Sequence, residues 1–158
     1  MNLFASLQSV FPVMPLAGAS AQFQPVWVDD VAGAIARCLD TPSSVGLTIE
    51  CAGPRIYTLR ELVELAGRWS GSRRPVLALP AFLGRLQALA MELLPGPTLM
   101  SRDNIDSMRV ANVASGKLPG LDSLDIETTP LESVAPRYLG HVSGEARLEA
   151  WRARARRG

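Results

Sequence analysis

One stretch constrains this chain more than any other. From Phe23 to Leu39 it reads Phe-Gln-Pro-Val-Trp-Val-Asp-Asp-Val-Ala-Gly-Ala-Ile-Ala-Arg-Cys-Leu, an extended segment feeding directly into a helix. Pro25 fixes its own φ and biases Gln24 towards an extended conformation. Val26 and Val28 share one strand face and Trp27 takes the other. Asp29 or Asp30 then caps the helix, because a carboxylate accepts from the free N–H groups at a helix start and suits its dipole. Val31, Ile35, Cys38 and Leu39 follow at helical spacing and predict one inward face. Thr41-Pro42 closes the helix.

Outward from that stretch, strands and helices alternate. Leu3, Phe4, Leu7, Val10 and Phe11 predict an amphipathic helix over residues 2–11, stopped by Pro12. Leu47 to Ala52, bounded by Gly46 and Gly53-Pro54, predicts a buried strand. Thr58-Leu-Arg-Glu61 is a capping box opening a helix with Leu59, Leu62, Val63, Ala66 and Trp69 inward. Ser70-Gly71 ends that helix, and Val76 to Leu79 is a short strand. Residues 81–94 predict a helix with a wide apolar face, which suits core packing, a partner helix or a membrane surface. Ser101 caps a short polar helix. Residues 112–128 read as loop, with a short strand near Leu124 to Glu127. Thr129-Pro-Leu-Glu132 is a second capping box, with Pro130 at the first helical position and Pro136 interrupting the helix. Residues 143–157 form a charged helix.

The expected fold class is therefore α/β, α+β-like as an isolated piece: a small sheet of three or four short strands with about five or six helices. Residues 1–140 make the main unit and residues 141–158 a basic tail. A length of 158 residues, 47% hydrophobic and 20% charged, is that of one globular domain with a real core. A net charge of +1 exerts no global pull on nucleic acid. Residues 147–158 concentrate five arginines against one glutamate, a solvated helix end. Cys38 on a helix face and Cys51 in an apolar strand read as buried free thiols. No apolar run reaches membrane-spanning length, and the first residues lack the basic start of a signal peptide. Together these favour a cytoplasmic origin; a bacterial one, including the periphery of the inner membrane, is what the resemblance given below implies.

The sequence offers little chemistry. A dinucleotide site needs a Gly-rich turn between strand and helix so that backbone N–H groups approach the pyrophosphate. No G-x-G-x-x-G or G-x-x-G-x-x-G occurs. Tyr57 and Tyr138 are followed four residues later by Glu61 and Val142, so no Tyr-x-x-x-Lys pair exists to move a proton. The lone histidine, His141, lies far from any cysteine pair, and no metal site is expected. Asp29-Asp30 reads as a cap with a solvated neighbour. No catalytic or cofactor-binding residue is assigned.

Val-Trp-Val-Asp-Asp-Val-Ala resembles the V-x-V-x-D-V-A segment of extended short-chain dehydrogenases/reductases. Three further stretches extend the likeness: Gly46–Pro54 with Tyr57–Leu62, Met100–Met108, and Leu118–Leu124 with Thr129–Glu132. Together they resemble the C-terminal half of atypical extended reductases, described as NAD-dependent epimerase/dehydratase-like and related to the NAD(P)H-binding accessory subunit of respiratory complex I. The resemblance implies a Rossmann-type parent whose nucleotide-binding half is missing here. NAD(P) would be the parent's cofactor, with none expected for this chain. Gln24, Trp27 and Asp29 would face the parent's substrate cleft. Where the sugar-nucleotide enzymes carry an arginine that grips the diphosphate, this chain has Phe23, which cannot supply those charge-assisted bonds. The implied function is the substrate-binding portion of an epimerase/dehydratase-like protein, not catalytic alone; the rival is a structural or assembly module. The implied partners are a second copy, the missing half, or a respiratory complex, and no nucleic acid.

Overall fold

The computed structural model describes residues 1–80, 82–84 and 107–140. Of the helix expected over 81–94, residues 82–84 are helical and the rest lies outside the described residues, as do the start of the helix expected from Ser101 and the one expected over 143–157. Within them the chain is mixed α/β. The order is α1 (Asn2–Val10), β1 (Met14–Leu16), β2 (Gln22–Phe23), α2 (Val28–Asp40), β3 (Tyr57–Thr58), α3 (Leu59–Trp69), β4 (Val76–Ala78) and α4 (Leu131–Leu139). Short 3-10 turns at Pro42–Ser44 and Leu121–Leu124 complete it.

The strands form two separate pairs. β1 and β4 run parallel, with Pro15 opposite Leu77, and β2 and β3 run antiparallel, with Phe23 opposite Tyr57. α3 is the hub. Its capping box forms as the sequence predicts: Thr58 Oγ1 accepts from the Glu61 N–H at 3.2 Å, and Glu61 Oε2 accepts from the Thr58 N–H at 2.7 Å. The helix ends at Ser70, where Gly71 adopts φ +75°, the left-handed conformation that glycine takes without strain. Leu59 and Val63 pack on Met14 and Leu16, with Phe4 and Leu7 of α1 closing over them. On the next turn Ala66 meets Ala135 and Leu139 of α4. Pro136 does not interrupt α4, which carries one turn past it with the Gly140 N–H on the Pro136 carbonyl.

A polar residue sits in the middle of this apolar packing. Gln8, on the inward face of α1, is fully buried. Its Nε2 donates to the Val63 carbonyl at 2.7 Å, and its Oε1 accepts from the Arg74 N–H at 3.2 Å. A buried amide is tolerated only when so paired. The space it needs comes from Gly67, where a Cβ would stand 2.2 Å from Gln8 Oε1.

Several local expectations change. Residues 47–52 are extended but unladdered: only Glu50 is bridged, to Gly120, and Leu47 and Cys51 are exposed. Glu50 itself turns its carboxylate to the 115–116 loop, where it accepts from the N–H groups of Ser115 and Gly116. Leu121–Leu124 is a 3-10 turn rather than the start of a strand. The second capping box does not form. α4 starts after Pro130 with no side-chain cap, because both partners are engaged elsewhere: Thr129 with Asp30, and Glu132 with Arg55 and Tyr57.

α2 departs most from expectation. It begins at Val28, after Trp27, and has no side-chain cap. Both aspartates fall in its first turn, where negative charge still suits the dipole. The face turned inward is the small one. Ala34 and Cys38 pack on Leu121, Leu124 and Ile126, since short side chains let the 3-10 turn approach closely. Ile35 is 62% exposed and Leu39 84% exposed.

Candidate functional site

The Gln24–Asp30 segment is tied to the rest of the fold at both ends. Gln24 Nε2 donates to the Gly53 carbonyl at 2.7 Å, and Gln24 Oε1 accepts from the Ala114 N–H at 2.9 Å. Its one amide thus joins three loops. Gly53 comes so close that an added Cβ would stand 1.9 Å from the Pro25 carbonyl oxygen. Asp30 accepts from both the N–H and the hydroxyl of Thr129, at 2.7 and 2.8 Å. Trp27 Nε1 donates to Asp29 Oδ2 at 3.0 Å on the exposed side. Of the three cleft candidates, Trp27 and Asp29 therefore meet each other, while Gln24 has its amide on backbone groups.

Two clefts stand out among the described residues. The larger, about 770 Å³, is walled by the small residues 17–21, the first turn of α3, the end of β4 and residues 108–111. Gly18 turns the wall at φ +66° and lies against Met108, where a Cβ would be 2.9 Å from the sulfur. Arg60 and Arg109 are its charged residues. Among the described residues, no carboxylate, histidine, cysteine, tyrosine or lysine lines it. The chemistry of its described lining suits an anion or a neutral polar group, and no acid–base pair lies among those residues.

The second cleft, about 550 Å³, includes Gln24, Glu50, Asp122 and Glu127. Hydrogen bonds from the Ser115 N–H, then its hydroxyl, then the Gly116 N–H hold the Glu50 carboxyl below the usual carboxylate range. Glu50 is committed to bracing the 115–116 loop. No group of three or more potential metal ligands occurs among the described residues.

The remaining titratable cluster joins β3 to α4. Tyr57 Oη donates to Glu132 Oε1 at 2.9 Å, and Arg55 Nη1 donates to the same oxygen at 2.8 Å. The Arg55 guanidinium also lies 5.9 Å from the Tyr57 ring centroid. Burial, followed by the neighbouring carboxylate, pushes the Tyr57 hydroxyl up. The phenol stays protonated and serves as a donor. Neither Arg55 nor this ion pair was foreseen from spacing, since the partners lie 77 residues apart. Phe23 packs against the core beside Met14 and Leu16, so its position presents no cation to either cleft.

What the fold and clefts define is a mixed α/β unit that can bind and brace, with no reactive set assembled among the described residues. The comparisons with known proteins give this a setting. The chain is 31% identical over 138 residues to NADH dehydrogenase [ubiquinone] 1 alpha subcomplex subunit 9, mitochondrial, of Rattus norvegicus, and 30% identical over 134 residues to that of Mus musculus. The Arabidopsis thaliana protein of the same name is 27% identical over 149 residues. These alignments cover 84%, 84% and 88% of this chain but only 35%, 35% and 37% of the relatives, so the chain spans about a third of their length. No family model matches it. The similarity to an accessory subunit of respiratory complex I is thus found over most of this chain. No helix among the described residues is long and apolar enough to cross a membrane.

Proposed function

We propose that this chain is the carboxy-terminal portion of a protein related to the complex I accessory subunit, and that it serves assembly through protein–protein contacts. The observation that carries this reading is the outer face of α2. Val28, Ile35 and Leu39 stand exposed there at helical spacing, and Val45 continues the exposed apolar run past the 3-10 turn. A monomeric surface seldom leaves such a row in water. The similarity to a subunit of a multi-subunit dehydrogenase supports a neighbouring subunit of a respiratory complex as the occupant.

The substrate-binding reading stays attached to the intact parent. There the nucleotide-binding half would supply NAD(P), and Gln24, Trp27 and Asp29 would look into the cleft it shares with this portion. Gln24, which lines the second cleft, supports that reading.

Native electrophoresis of membranes from the source organism tests the assembly role. The chain should migrate in the high-mass band that carries NADH dehydrogenase activity, and Ile35→Asp/Leu39→Asp should release it. Both side chains are exposed, so the variant should fold. A chain that migrates alone, or whose migration ignores the double substitution, would overturn the proposal.

A further inference from the structure

The β1–β4 pair breaks a rule of parallel sheets, which are normally covered on both faces. Among the described residues only one face is covered. Met14 and Leu16 point into the core, while their neighbour Pro15 and its register partner Leu77 share the outer face. Leu77 is 58% exposed there. The turn that leads into β1 extends this apolar ground: Val10 is 75% exposed, and Phe11 and Val13 are exposed beside it. Just beyond β4, Phe82 is 68% exposed. These segments adjoin through hydrogen bonds from the Met14 N–H to the Pro75 carbonyl and from Arg74 Nε to the Gln8 carbonyl.

Among the described residues of the segments that form this corner, the charged side chains have one sign. Residues 1–28 contain no ionisable side chain, and residues 66–84 contain Arg68, Arg73 and Arg74 with no carboxylate. Arg74 is fixed by its bond to the end of α1, next to Val10 and Phe11 in the chain. Branched aliphatics and a phenyl ring on an open corner, with arginines and no acidic group, match the chemistry of an anionic bilayer surface. A lipid interface accepts apolar side chains without shape complementarity, and its headgroups collect arginine. We infer that the Val10–Val13 turn and the outer face of the β1–β4 pair form a peripheral binding surface for anionic phospholipid. This surface is separate from α2 and would leave the α2 face free for a protein neighbour.

Vesicle co-sedimentation tests the inference on the full chain. It should sediment with vesicles of equal parts phosphatidylcholine and phosphatidylglycerol, and remain in solution with phosphatidylcholine alone. Arg73→Glu changes two charge units, each roughly fivefold in partitioning, and should weaken binding on the order of 25-fold. Phe11→Ser/Leu77→Ser should weaken it further at unchanged thermal midpoint, whereas Ile35→Asp/Leu39→Asp should leave it intact. Equal binding to both vesicle types, no binding to either, or indifference to Phe11→Ser/Leu77→Ser would overturn the inference. A concentration-dependent dimer by light scattering that Phe11→Ser/Leu77→Ser abolishes would assign the surface to a second copy instead.

Discussion

Replacing Gly53 by alanine would place a methyl carbon 1.9 Å from the Pro25 carbonyl oxygen and 2.9 Å from its carbon. Both are backbone atoms, so no rotamer change relieves the clash. The two strands of chain must separate by more than an ångström, and the Gln24 amide bridges exactly this gap's neighbours, Gly53 and Ala114. Overpacking of this kind costs about 1–3 kcal/mol, and two weakened hydrogen bonds add about 1 kcal/mol each. The expected loss is roughly 3–5 kcal/mol, or a fall of about 10 °C in Tm for a chain of this size. Gly33→Ala is the internal comparison. Its nearest contact would be 3.9 Å, to Ile126, and it lies inside α2, so it should stabilise by about 0.5–1 kcal/mol. Circular dichroism melts of the two variants give both numbers. A Gly53→Ala midpoint within a degree or two of the parent would refute the close approach and the three-loop clasp built on it.

Two further outcomes follow from the same geometry. Gly67→Ala should destabilise by about 2–4 kcal/mol despite alanine's better helix propensity, because it displaces a buried amide with two partners. Combined with Gln8→Ala, its added effect should shrink well below additivity in urea melts. Acid should also weaken the fold. Bonds from the Ser115 N–H to Glu50, from the Thr58 N–H to Glu61, and from its own N–H, Tyr57 and Arg55 to Glu132 hold these carboxyls below their ordinary 4.5. A depressed carboxyl stabilises fully above its unfolded value and loses that contribution as pH falls through the folded one. Urea midpoints should therefore be level near neutrality and decline below about pH 4.5. A flat profile down to pH 3 would contradict it.

The sequence made local signals legible and long-range ones opaque. Thr58–Glu61 reads correctly because its partners are three residues apart and nothing else competes for them. Thr129–Glu132 has the same spacing and fails, because Asp30 and Arg55 reach in from other parts of the chain. Helical periodicity located α2 but not its inward face. The side that packs is decided by how closely the Leu121–Leu124 turn approaches, and Ala34 and Cys38 permit that approach where Ile35 and Leu39 would not. Gln8 gave no signal, since a glutamine on an apolar stripe normally points out, and only Gly67, 59 positions on, makes room for it. The larger cleft was invisible for a related reason. Its walls are small residues whose value lies in what they leave empty.

The central claim is that this chain works through its surfaces and does not itself seat a nicotinamide nucleotide. The Arg60 cleft, the larger of the two clefts described above, is the natural rival location. Isothermal titration of NADH and NADPH into the purified chain addresses both at once. The account predicts no saturable heat for either nucleotide; a micromolar isotherm that weakens on Arg60→Ala would contradict it.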